Sequence, residues 1–402
     1  MLRGHHIGYE DCRKKQDDDV AGAASAVLVG PTSTAKIEPS PSLLVSTDND
    51  DASDVVTVPP SPTAVAENDE TPVLLLNGFG VGTFHQHRLM PKLIDGSDGN
   101  RVVYAVDYLG QGRSWPIDCN DGESESERGL RYCINTWAEQ IIEFIEEVIL
   151  PEHTNAKKIH LVGNSVGGYL SVVLASKRPD LIDSICLLNA TPVWGLNAPG
   201  WSGVLPAPFV PKRIGRYLFD RIRDFSTIEK FLDETYSNRL AFDNDLMKRI
   251  RRMTEGPGGH AAFASILWSP PAQFDSEGST DFYGSLEKLD CDVLLVFGKD
   301  DPWCKPAFAK RMCECLGKRS GHIHRYVEVE NAGHCPNHEA PTATAAIVNR
   351  WLTADEGGRG LVQLVDGNTE EFKETWGINY IREVGADEIA MGVFDRIVTK
   401  FI

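Results

Sequence analysis

Six short apolar runs punctuate the chain from residue 72 onward: Val73–Leu76, Val102–Val106, Ile159–Val162, Ser184–Leu188, Val293–Phe297 and Ile323–Val329. The first five are almost continuously apolar, and turn residues bound each run. Strands have this pattern when both faces of a parallel sheet are covered. Between them lie helical patterns. Trp137, Ile141, Ile142, Ile145, Val148 and Ile149 make one apolar stripe, with glutamates on the other face. Another helix follows a Gly-rich turn over Tyr169–Ser176. Strand and helix in alternation predict an α/β fold, a mostly parallel central sheet flanked by helices and joined by right-handed crossovers.

The alternation breaks between Ala190 and about Asp290. That stretch holds Trp194, Trp201, Phe209, Tyr217, Phe219, Phe225, Phe231, Tyr236, Phe242, Phe263 and Trp268, with basic helix-like segments such as Met247–Met253. It reads as a helical cap inserted at about residues 191–290 of a domain spanning 71–352. Residues 353–402 read as an appended tail, helical near Glu388–Phe401. Residues 1–70 are rich in Asp, Ser, Thr, Pro and Ala, with Tyr9 as their sole aromatic residue. So little apolar surface cannot offset ordering entropy, and the expectation is a disordered acidic extension.

Charge narrows the function classes. The net charge is −18, of which residues 1–70 carry −8 and residues 353–402 carry −5. The remaining −5 on the middle is unremarkable, and the balance argues against binding a phosphate backbone. Nine scattered cysteines, with only a C-x-C at Cys313–Cys315, give no zinc spacing and read as free thiols of a reducing compartment. No run reaches the roughly 18–20 apolar residues of a membrane-spanning helix. The N-terminus, with Asp17, Asp18 and Asp19 close behind it, reads as neither a signal peptide nor a clean transit peptide.

The chemistry begins at Gly163-Asn164-Ser165-Val166-Gly167, directly after one strand and before a helix. This G-x-S-x-G is a nucleophile elbow: a sharp turn that needs small neighbours and projects the hydroxyl at a helix N-terminus. Serine needs a base, and the base an orienting acid, expected in the order Ser, acid, His. Asp301 follows the strand Val293–Phe297 within Gly298-Lys299-Asp300-Asp301, with Asp300 as the fallback. His334 follows the strand Ile323–Val329 and a glycine, and His338 is a weaker competitor for the base. Oxyanion donors are expected from the backbone N–H groups of Val166 and of Phe79, which lies in the turn Asn77-Gly78-Phe79-Gly80. Asp107-Tyr108-Leu109-Gly110-Gln111-Gly112-Arg113-Ser114 lacks the lysine of a P-loop and reads as a structural loop on the site floor.

Longer strings carry a resemblance: Asn77 to His85, Asp107 to Ser114, Gly163 to Tyr169, Leu187-Leu188-Asn189-Ala190-Thr191-Pro192-Val193-Trp194-Gly195, Asp301-Pro302-Trp303 and Ala332-Gly333-His334-Cys335-Pro336. Over about residues 72–352 the chain resembles the pheophytinase and chlorophyll dephytylase group of α/β-hydrolases, with its chlorophyllase relatives. The resemblance implies hydrolysis of the phytyl ester of a chlorophyll-type pigment by Ser165, His334 and Asp301, in a chloroplast. It implies Phe84, Trp194 and Trp303 as substrate-facing aromatics. The partner it implies is a phytylated tetrapyrrole, with peripheral membrane contact and no nucleic acid. The motifs call for neither a cofactor nor a metal. The alternatives are a general lipid esterase, a thioesterase, a C–C hydrolase or an acyltransferase on the same fold, or a non-catalytic binding module.

Overall fold

The computed structural model describes residues 5–12, 23–28, 71–97, 101–275, 278, 280–355, 358–359, 369–391 and 399. Its strands are β1 (His5–Cys12), β2 (Ala23–Leu28), β3 (Val73–Leu76), β4 (Val103–Val106), β5 (Trp115–Pro116), β6 (Ile159–Asn164), β7 (Ile182–Leu188), β8 (Asp292–Gly298) and β9 (His324–Glu330). A two-residue pair, β10 (Ala354–Asp355) and β11 (Gly358–Arg359), precedes the hairpin β12 (Glu370–Glu374) and β13 (Gly377–Glu383). The main sheet runs β12-β13-β9-β8-β7-β6-β3-β4-β1-β2, with β5 also on β1. Its centre, from β4 to β9, is parallel throughout. Both flanks, β1–β2 and β12–β13, are antiparallel.

Covered faces explain the apolar runs. Leu74 and Leu76 of β3 join a core layer with Trp137, Ile141 and Val172; Val73 and Leu75 join the opposite layer with Leu89, Ile347 and Trp351. Alternate side chains point to opposite faces, so a strand buried on both sides needs an apolar residue at every position. The first layer is built by α2 (Ile134–Phe144), which runs through a π turn (Ile145–Ile149) into α3 (Leu150–Glu152), and by α4 (Val166–Lys177). The second uses α1 (Leu89–Asp95), and α12 (Pro341–Leu352) enters it through the single turn α11 (Pro336–Glu339).

Between β7 and β8 lie α5 (Phe209–Ile222), α6 (Phe225–Thr235), a 3-10 turn (Arg239–Ala241), α7 (Asn244–Met253), α8 (Gly259–Trp268) and α9 (Phe282–Leu286); α10 (Pro306–Leu316) follows β8. This insertion divides in two. Ala261, Ala262 and Ile266 of α8 and Phe282 and Leu286 of α9 belong to the main core, and Tyr169 stacks on Phe282 with ring centroids 5.4 Å apart. Ile228, Leu232, Tyr236, Phe242, Leu246 and Met247 form a separate cluster that closes on Cys335. The cap in the strict sense is therefore α6 to α7, with α5 resting on α8.

Two expectations about the ends need correction. Residues 5–12 and 23–28 are strands, so disorder does not extend over all of 1–70. Tyr9 pairs with Val106 of β4 and buries its ring 5.1 Å from that of Phe144. One buried aromatic and an open sheet edge anchor this segment where composition suggested nothing would; the rest of 1–70 lies outside the described residues. The region 353–402 is likewise no mere appendage, because β13 pairs with β9 and extends the sheet. The expected helix near Glu388–Phe401 falls mostly outside the described residues; the short α13 (Ala386–Ile389) reaches only its start. Among the described residues no helix is long and apolar enough to cross a membrane.

Candidate active site

Strand β6 ends where the chain must turn at once into α4. Ser165 makes that turn with φ 55° and ψ −116°, a left-handed backbone that costs a non-glycine residue strain. Its neighbours explain how the turn is tolerated. A Cβ on Gly163 would lie 2.3 Å from the Gly167 carbonyl oxygen, and one on Gly167 would lie 2.4 Å from that of Leu76. Only glycine fits at either place. The Ser165 N–H donates to the Leu188 carbonyl at 2.9 Å, and the Ser165 carbonyl accepts from Thr191 at 3.2 Å, so the end of β7 clamps the elbow.

The carboxylate and imidazole meet at the same edge. His334 Nδ1 lies 2.6 Å from Asp301 Oδ2, and both residues are buried. Asp301 is fully engaged: Oδ1 accepts from the N–H groups of Trp303 (2.8 Å) and Cys304 (3.0 Å), and Oδ2 also accepts from Asn189 Nδ2 at 2.7 Å. An ionised carboxylate can only accept, so Nδ1 carries the proton and Nε2 is left as the basic nitrogen. Asp300 takes a different partner, Ser237 Oγ at 2.8 Å. The elbow and the base adjoin through Asn164, whose Nδ2 donates to the His334 carbonyl at 2.9 Å.

The two expected oxyanion donors lie on either side of Ser165. Val166 is the first residue of α4, where an N–H has no carbonyl a turn earlier to receive it. Phe79 follows Gly78, where a Cβ would lie 3.7 Å from the Ser165 Cβ, so this turn passes directly over the elbow. The loop at Asp107 braces it: Asp107 Oδ1 accepts from the Thr83 N–H at 2.8 Å, and Tyr108 donates to the Asn77 carbonyl at 2.8 Å. Of the aromatics, Trp303 sets its ring 4.9 Å from that of His334, and Trp194 lies 5.0 Å from Phe79. Phe84 packs instead against the α6–α7 cluster.

His338 is placed away from Asp301. Its ring stacks on His85 at 4.6 Å, and Tyr236 from the cap bridges them, with its hydroxyl 2.9 Å from His85 Nε2 and 3.0 Å from His338 Nδ1. Arg88 also donates to His338 Nδ1, at 3.2 Å. Burial, with His87, Arg88 and His334 adding, lowers the pKa of His85 to about 3; burial, with His85, Arg88 and His87, lowers that of His338 well below the ordinary value.

Motif reading assigned no role to three residues the structure makes prominent. Asn189, at φ 42°, fixes Asp301 and accepts from the Gly298 N–H at 2.8 Å. Asn164 joins the elbow to the base. Glu339 accepts from the Gly333 N–H at 2.7 Å and the Asn238 N–H at 2.6 Å, tying the loop before His334 to the cap; burial raises its pKa to about 7. Asn189 sits in the most specific of the resembling strings, which was its one visible signal.

Asp301, Cys304 and His334 are the one group among the described residues whose ligand atoms, within 4.8 Å of one another, are close enough to share an ion. The carboxylate there is already saturated by four donors. Burial pushes the thiols of Cys304 and Cys335 well above their usual pKa, so neither is a thiolate nucleophile. The cysteines from Cys119 to Cys335 are free thiols.

Comparison with known proteins identifies the fold family. Residues 73–347 match the model described as "Alpha/beta hydrolase family". This chain belongs to the alpha/beta hydrolase family. It is 28% identical over 339 residues to a chloroplastic pheophytinase from Arabidopsis thaliana, covering 76% of this chain and 66% of that protein, just under two thirds. It is 24% identical over 296 residues to a proline iminopeptidase from Lactobacillus acidophilus, covering 72% of this chain and 92% of that protein. Among solved structures, a thermophilic esterase from Thermogutta terrifontis superposes with a TM-score of 0.50 at 20% identity, over 70% of this α/β-hydrolase and 89% of the esterase. That likeness shows the fold. The similarity to hydrolases supports hydrolysis as the activity.

Proposed function

We propose that this α/β-hydrolase cleaves a carboxylic ester by a serine mechanism, and that its substrate is the phytyl ester of a chlorophyll-type pigment. The observation that carries the reaction type is the 2.6 Å contact of Asp301 with His334 beside the strained turn at Ser165. In this reading Ser165 Oγ attacks the ester carbonyl while His334 Nε2 takes its proton. The oxyanion is received by the N–H groups of Phe79 and Val166. His334 then gives the proton to the leaving alcohol, and water, deprotonated by the same nitrogen, releases the acid. Asp301 holds the ring in the required tautomer and stabilises the imidazolium that forms.

The pigment reading rests on the similarity to pheophytinase, and with it a plastid location. The aromatic rim of Phe79, Trp194 and Trp303 suits a flat, apolar substrate. The test is to incubate the purified chain with pheophytin a, chlorophyll a and p-nitrophenyl butyrate, alongside Ser165→Ala. Release of phytol from either pigment is expected, with a loss on the order of 10⁴-fold or more in the variant. Turnover of the short ester with neither pigment touched would leave a general esterase. Equal rates for the two proteins would end the serine mechanism.

A further inference from the structure

Helix α5 has two opposite faces, and only one of them is used by the fold. Pro211, Gly215 and Phe219, spaced four apart, are buried. A Cβ on Gly215 would lie 2.6 Å from that of Ala264, and the Phe219 ring is 5.5 Å from that of Phe263, so this stripe rests on α8. With about 3.6 residues per turn, Phe209, Val210 and Tyr217 project from the other side, and Ile214 and Leu218 lie on the flank between the two faces. All are exposed, Phe209 at 70%, Tyr217 at 61% and Val210 at 60%. A run of large apolar side chains on the outer face of a helix calls for a partner.

The charges say which partner. Arg213 lies over the Phe209 ring at 4.8 Å and Arg221 over Tyr217 at 5.4 Å, so a cation stands beside each exposed aromatic ring. Lys212 and Arg216, on the flank, turn instead to Asp121, at 2.9 and 3.4 Å. From Phe209 to Met253 the chain carries 11 Lys/Arg against 7 Asp/Glu, a net charge of +4 in a chain whose total is −18. Two copies meeting through this face about a twofold axis would bring like charges together, which disfavours self-association. Aromatic rings and aliphatic side chains bordered by arginines are the composition of a helix that lies in a lipid interface, with rings at headgroup depth and guanidinium groups on the phosphates.

We propose that the outer face of α5 docks this hydrolase on an anionic lipid bilayer, Phe209, Val210 and Tyr217 entering the interface, Ile214 lying at its edge, and Arg213 and Arg221 contacting lipid phosphates. The proposal is independent of which ester is cleaved.

The test sediments the full chain with vesicles of phosphatidylcholine, with and without phosphatidylglycerol, and needs no hydrolysis. The wild type is expected to pellet with the anionic vesicles and to be released by high salt. Phe209→Ser/Tyr217→Ser and, separately, Arg213→Glu/Arg221→Glu should each bind at least about tenfold more weakly, with circular dichroism melts unchanged. Failure of the wild type to pellet, or pelleting of both variants as strongly as the wild type, overturns the proposal. So does a dimer in sedimentation velocity that Phe209→Ser/Tyr217→Ser dissolves, because a second copy would then cover the face.

Discussion

His334 and the stacked pair His85–His338 are all buried, yet only His334 meets a carboxylate. The two regions show what a counter-charge does to an imidazole. Beside Asp301, the ring of His334 has a donor on one nitrogen, a basic lone pair on the other, and a negative charge to balance a proton when it arrives. The stacked pair has the reverse. His85 Nε2–H points to Tyr236, whose hydroxyl donates to His338 Nδ1, and Arg88 donates to the same nitrogen. A second proton on His338 would face the guanidinium of Arg88. This pair is a neutral latch between the cap and the domain below it, and its chemistry is to stay uncharged.

Removing the counter-charge should make the first region resemble the second. Asp301→Asn is expected to fold and to lower kcat by about 10⁴-fold, because the amide no longer fixes the imidazole tautomer or balances its charge. Turnover of a p-nitrophenyl ester measures it, and a loss below tenfold would mean that Asp301 does not orient the base.

The latch predicts acid sensitivity. In the unfolded chain a histidine titrates near 6.5, whereas His85 in the fold titrates at about 3. Between those values the unfolded state holds the extra proton, so stability is present above 6.5 and falls as pH drops toward 3. His338 acts in the same direction. Each group contributes a slope of about 1.4 kcal/mol per pH unit at full effect. Urea unfolding at pH 7, 6 and 5 should show His85→Gln/His338→Gln losing part of that slope; identical slopes would show that the pair takes up protons freely. Tyr236→Phe is the mildest break. It removes the hydroxyl between the rings and should cost about 1–3 kcal/mol, while leaving kcat on a small ester within a few-fold. A larger loss of kcat than of stability would show that the latch also shapes the catalytic rim.

The readable parts of the sequence were those where local chemistry and fold coincide. The runs from Val73 to Phe297 were legible because strands covered on two faces must be apolar throughout. The elbow was legible because its turn admits only glycine at 163 and 167. Spacing from Gly298 favoured the acid at 301 over that at 300, but both follow the same strand, and what separates them is the direction of the turn: Asp301 meets His334 and Asp300 meets Ser237. Asn164, Asn189 and Glu339 act through contacts to backbone groups 101 or more residues away, and such contacts leave no periodicity. The strand at 5–12 was hidden because its segment is largely polar and its place is fixed by pairing with β4 and by the single buried ring of Tyr9.

The hairpin β12–β13 lies wholly past residue 347, where the family match ends. Trp376, in its turn, donates to the Glu339 carbonyl at 2.7 Å and carries Arg88 over its ring at 4.2 Å, while Asn238 of the cap donates to the Trp376 carbonyl at 2.6 Å. A protein trimmed to the matched region would keep every reactive group and lose the buttress behind them. The folded unit that supports His334 and the cap therefore reaches some thirty-five residues beyond the matched region.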